Sequence, residues 1–161
     1  MRGALVFALA LTVPAAHAGA HTMPNSTVVV EQVSAQSVRL ALAIPLSELA
    51  AALGRPADSQ ADISAELSRY LNQHVSVVSA DGLPWLAKLE DMASADGEHL
   101  VMVIVLSFTP PPGASSSPAR LRYDAINHQV ASHYALVYHR VGGKLVPLGR
   151  LQSPATTLTL P

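Results

Sequence analysis

Cysteine is absent from this 161-residue chain, which excludes a disulfide framework, a thiolate metal site and a thiol nucleophile. Charge is scarce and nearly balanced, with 10 Lys plus Arg against 11 Asp plus Glu. There is no run of Lys or Arg, so the basic footprint that phosphate binding requires is missing and no nucleic-acid partner is expected. Long hydrophobic runs are also missing after the amino terminus. The longest is Leu100 to Leu106, far short of the roughly 20 residues a membrane-spanning helix needs. Catalytic signatures are thin. No serine sits in a Gly-x-Ser-x-Gly elbow, and the adjacency of Ser132 and His133 does not make a triad. Glu90-Asp91 and Asp96-Gly97-Glu98 lack the further ligands of a calcium site. With no assembled set of catalytic roles, the expectation is a non-enzymatic protein.

The amino terminus is where the chain is most explicit. Arg2 precedes an apolar stretch from Gly3 to Val13, a break at Pro14, and the small-residue sequence Ala16-His17-Ala18-Gly19-Ala20. This is the pattern of a secretory signal peptide over residues 1–20, with cleavage after Ala18 or Ala20. Periplasmic or secreted localisation follows. The remaining residues, 21–161, are enough for one domain with one core.

Along that domain the patterning is mostly that of strands. Thr27 to Val33 and Val38 to Ile44 flank a polar spacer and predict a hairpin. Helical spacing appears at Leu46, Leu49, Ala50 and Leu53, with Gly54 as a stop. A second helix is expected from about Asp58 to Asn72, with Ser59 and Asp62 as a capping box and Glu66 and Arg69 on a solvated face. The helical insertion therefore covers about 45–73. Val75 to Val78, the turn Asp81-Gly82 and Leu83 to Leu89 predict another hairpin. Leu100 to Leu106 is apolar at both parities and predicts an internal strand covered on both faces. Pro110 to Pro118 is a loop, Leu121 to Tyr123 resumes strand, Gly142-Gly143 joins a strong hairpin, and Thr156 to Leu160 is a last strand. The fold expected is mainly β: an antiparallel, Greek-key β-sandwich of immunoglobulin-like type with a short helical insertion.

The candidate chemistry lies in histidines. Cleavage after Ala18 would leave Gly19-Ala20-His21, whose amine, two amide nitrogens and imidazole can encircle Cu(II) or Ni(II) in a square plane; cleavage after Ala20 would leave His21 with a terminal amine beside its imidazole. The alternative is an accidental histidine on a tail. His133 and His139, six residues apart on one strand, stand roughly 20 Å apart, whereas ligands of one ion must approach to about 4 Å. His128 and His133 could converge only across a turn or bulge, which Asn127 permits, and Asp124 would have to be oriented toward His128 by folding; the alternative for these imidazoles is structural hydrogen bonding. The candidate metal set is thus His21, His128, His133 and Asp124, while His74 and His99 stand alone in the sequence.

Two segments also carry a resemblance. His21-Thr22-Met23-Pro24-Asn25-Ser26, and Tyr123-Asp124-Ala125-Ile126-Asn127-His128-Gln129-Val130 leading to His133-Tyr134, resemble the extracytoplasmic amino-terminal domain of the larger HupE/UreJ-like membrane proteins. The Pro110-Pro111-Pro112-Gly113 loop matches in character. In that family a signal peptide and a β-rich domain precede a bundle of transmembrane helices, and nickel uptake is associated with histidine and acidic residues in one of those helices. The resemblance implies an exported interaction or metal-presenting module for an integral membrane partner, and it points to His21, Met23, Asp124, His128 and His133. This chain reaches Pro161 without such a helix, so transport itself is not carried over. An independent periplasmic Cu(II)- or Ni(II)-binding protein is the other expectation.

Overall fold

The computed structural model describes residues 25–56, 63–96, 99–114 and 119–161. The expected signal peptide, His21, Met23 and the Ser59/Asp62 capping box lie outside these residues. Among the described residues there are nine strands and two helices, in the order β1 (Ser26–Val33), β2 (Val38–Pro45), α1 (Leu46–Ala52), α2 (Ser64–His74), β3 (Val75–Val78), β4 (Leu86–Ala95), β5 (Val101–Thr109), β6 (Arg120–Tyr123), β7 (Ala135–Val141), β8 (Lys144–Leu151) and β9 (Thr157–Thr159). The fold is mainly β. No helix among the described residues is long and apolar enough to cross a membrane.

Two sheets form, one in the order β4-β5-β2-β1-β7-β8 and the other β3-β6-β9. Period-two patterning decides which face each strand buries. Val28 and Val30 of β1, Leu40 and Leu42 of β2, and Ile104, Leu106 and Phe108 of β5 join Val75 and Val77 of β3 and Leu121 and Tyr123 of β6 in one buried cluster. The two sheets thus share a single core, as in a sandwich. The pairing is not wholly antiparallel. β1 and β7 run parallel, Ser26 opposite Ala135 through Val30 opposite His139, while the remaining strand pairs are antiparallel.

The helical insertion follows β2 and leads into β3. Leu49 of α1 and Leu67, Tyr70 and Leu71 of α2 enter the same core, which places the helices across the end of the sandwich where β2 finishes and β3 begins. Gly54, at φ +66°, stands just beyond α1 in a conformation that glycine adopts without penalty. Glu66, expected to be only solvated, pairs with Arg55 at 3.1 Å and ties α2 to the segment after α1.

Two further expectations need correction. β3 and β4 do not form a hairpin. The turn is present, with Gly82 N–H donating to Ser79 O at 2.9 Å, and Trp85 N–H donates to Val77 O at 2.9 Å. Beyond the bridge between Val78 and Pro84 the strands part, β3 to β6 and β4 to β5. Pro84 has no N–H with which to extend the ladder, and the buried Trp85 indole is held by Ser79 Oγ at 2.6 Å. β5 is internal, between β4 and β2. Only its Ile104, Leu106 and Phe108 face is buried, and Val101, Val103 and Val105 are half-exposed. Coverage on both faces is found instead in β1, where Val28, Val29 and Val30 are all buried.

Candidate functional site

The chain between β6 and β7 does not run as a plain loop. It starts from Tyr123, fully buried in the core, and winds through successive turns in which His128 N–H donates to Asp124 O at 3.2 Å and Val130 N–H to Ile126 O at 2.9 Å. To make this path Ile126 takes φ +66°. A β-branched residue in the left-handed region carries strain of about 1–3 kcal/mol. Its surroundings hold it there: the side chain is buried at 1% exposure, and its N–H donates to Tyr70 Oη at 2.9 Å. Burial is the main reason that the Tyr70 hydroxyl is pushed above the usual phenol range. Gln129 Nε2 donates to Ala52 O at 3.3 Å, and Gln152 Nε2 to Ala131 O at 3.1 Å, so α1, α2 and the chain after β8 all brace this segment.

A cluster of polar side chains rides on the braced segment. Asp124 N–H donates to His74 O at 2.9 Å, and His74 Nδ1 returns a bond to Asp124 Oδ1 at 2.9 Å. The other carboxylate oxygen, Oδ2, accepts from Arg122 Nη2 at 2.6 Å. The His128 ring stacks on His74, with centroids 4.0 Å apart and planes inclined at 15°, and Tyr70 packs on His74 at 4.6 Å. His128 Nδ1 lies 3.1 Å from Asp124 O. A carbonyl and a carboxylate only accept, so both imidazoles use Nδ1–H as donor, and the neutral form of each carries its lone pair on Nε2. His74, which the sequence leaves without a role, is thus the hub of the cluster. Its signal was its place as the last residue of α2, a position that primary-sequence spacing could not connect to Asp124, 50 residues away.

His133 goes elsewhere. It is fully buried, with Nε2 2.9 Å from Ser26 Oγ, and burial holds its pKa below the ordinary imidazole value. Its Nδ1 has no hydrogen-bond partner among the described residues, nor have Tyr123 Oη and Asn127 Oδ1. Burial pushes the Tyr123 hydroxyl far above the usual phenol range; Ser26 is near enough to oppose that shift in part but is not aligned as a partner.

Of the expected ligands, the three among the described residues do not assemble as a set, and His21 lies outside them. Asp124 and His128 belong to one cluster, and His133 belongs to the core beside Ser26. Ligands of one ion must point at a common centre. The His74 and His128 rings stack face to face with each Nδ1 committed to Asp124, and no group of three or more His, Asp or Glu among the described residues is placed to hold a metal. What the cluster offers as it stands is a rigid polar surface with a partly buried carboxylate, a guanidinium and two stacked imidazoles. No family model and no curated protein matches this chain.

Proposed function

We propose that this chain is an exported, non-enzymatic interaction domain serving an integral membrane partner, and that the Asp124–His128 segment is its recognition surface. The observation that supports this reading is Ile126. The fold tolerates left-handed strain at a β-branched residue in order to fix the backbone beneath Asp124 and His128, and strain of this kind concentrates where geometry matters for function. Conformationally fixed polar groups lower the ordering cost of binding. The resemblance of this same segment to the external domain of HupE/UreJ-like proteins points to a membrane-embedded partner. Site-specific photo-crosslinking in the producing cell tests it. A photoreactive residue at position 128 should give a discrete crosslink to an integral membrane protein, lost when Asp124→Asn is added. The same crosslink from a probe at Ser94 on β4, or none from position 128, would contradict the assignment.

A second reading makes Cu(II) or Ni(II) capture the function, with His21 as the principal ligand. His128 is exposed, with Nδ1 committed to Asp124 O, and this supports it, since a single accessible imidazole can complete a nitrogen site begun elsewhere.

A further inference from the structure

Large apolar side chains are unevenly placed on the surface. Those left exposed among the described residues are Leu83 at 42%, Leu86 at 77%, Leu100 at 46%, Val141 at 51%, Leu145 at 48% and Val146 at 45%. Strand register shows where they lie. Val30 of β1 is opposite His139 of β7, in parallel, so the carboxyl ends of both strands are at the same end of the large sheet. Val33 is opposite Val38, Val38 opposite Phe108, and Leu86 opposite Thr109. The β7–β8 turn, the β1–β2 turn, the exit of β5 and the entry of β4 therefore share one end. All of the exposed apolar residues except Leu100 gather there. Leu100 precedes Val101, which is opposite Pro45 at the other end, the end that carries the helices and the Asp124–His128 segment.

The apolar residues at this end do not make one groove. Val141, Leu145 and Val146 project around the tip of the β7–β8 hairpin, whose Gly142 and Gly143 take the positive φ of a tight turn. Leu86 stands at the opposite edge of the sheet, in the sequence segment that follows Leu83. Five strand spacings separate the two edges, roughly 24 Å. Cations accompany both groups: Lys144 and Arg140 at the tip, and Lys88, 74% exposed, two residues beyond Leu86. The nearby carboxylates are engaged, Glu31 and Glu90 by Arg140 and Lys88 themselves, in exposed pairs weak enough to be exchanged for headgroups. Glu31 faces Arg39 at 3.4 Å and Arg140 at 3.8 Å, Glu90 accepts from Ser107 at 2.8 Å and lies 3.4 Å from Lys88, and Asp81 has a partner of its own.

We propose that this end of the sandwich rests on an anionic lipid surface, with the β7–β8 tip and Leu86 as separate apolar contacts and the lysines and arginines against headgroups. A groove would fit a helix, and a contiguous patch would fit a second copy of the chain. Separated apolar contacts along one end, interleaved with cations, fit a broad surface that is apolar below and anionic above. The proposal does not depend on the assignment of the Asp124–His128 segment, which is at the opposite end.

Vesicle co-sedimentation of the exported chain tests it, with phosphatidylcholine vesicles with and without phosphatidylglycerol. Binding to the anionic vesicles is expected, weakened by added salt, and reduced about tenfold or more in Leu86→Asp/Leu145→Asp. These side chains are exposed, so the variant should keep the far-ultraviolet circular dichroism of the parent. Leu100→Asp, with the same chemistry at the opposite end, should bind as the parent does. Absence of binding to either vesicle, equal loss in Leu100→Asp, or a dimer of the parent that the double variant dissolves would overturn the proposal.

Discussion

His133 shows how one residue type can have opposite uses in a single chain. A fully buried imidazole bonded to Ser26 Oγ is kept neutral, and its pKa lies below the ordinary value of 6.5. In the unfolded chain it binds a proton near that ordinary value. Between the lowered folded pKa and 6.5 the unfolded state therefore holds more protons, so stability falls as pH drops through this window. Urea unfolding at a series of pH values should show that loss in the parent, and His133→Gln should lack this component of the slope. An identical slope in the variant would mean that other groups govern acid stability. The sequence offered His133 as a metal ligand because histidine type and spacing are visible there, whereas the partner that claims it, Ser26, is 107 residues away. His74 carries no mark of its role in the sequence for the same reason. Its contacts with Asp124 and His128 arise only when α2 is laid beside the β6–β7 segment.

At the scale of elements, α2 acts as the template for that segment. Tyr70 Oη accepts the Ile126 N–H, and His74, one turn later on the same helix face, holds Asp124. Tyr70→Phe keeps the ring and removes the acceptor, leaving a buried N–H without a partner, which costs about 1–3 kcal/mol. Urea denaturation should register that loss, and amide exchange at Ile126 should quicken relative to the β1 and β2 core. Unchanged stability together with unchanged exchange would show that the turn is held by packing alone. Much at this scale was legible in the sequence. The α1 stop at Gly54, the hairpin at Gly142-Gly143 and the internal position of β5 follow from local patterning. The expected β3–β4 hairpin does not form: Asp81-Gly82 does make a turn, but Pro84 and the anchored Trp85 then send the strands to different sheets. The parallel β1–β7 pair was also out of reach, since neither strand carries a local mark of a partner more than 100 residues distant.

At the scale of the molecule, the two ends of the sandwich differ in kind. One is closed by α1, α2 and the strained Ile126 segment, and it presents Asp124, Arg122 and His128 in fixed positions. The other is built from turns, and it holds most of the exposed apolar residues together with Lys88, Arg140 and Lys144. The core between them ties both ends to one rigid frame, because residues from both sheets and both helices belong to a single buried cluster. Such a frame can lie on a membrane by one end and meet a protein partner with the other. Binary patterning foreshadowed the core. It did not foreshadow the polarity of the ends, which depends on register across five strand pairs.

The most direct measurement is amide hydrogen exchange of the protein, free and in the presence of membranes from the producing cell. Slowed exchange is expected in three places, residues 124–131, residues 141–146 and the start of β4 at residues 86–88, with the far end of β4, residues 91–95, unchanged. Slowing confined to residues 91–95, or no difference between the free and membrane-exposed protein, would contradict both assignments.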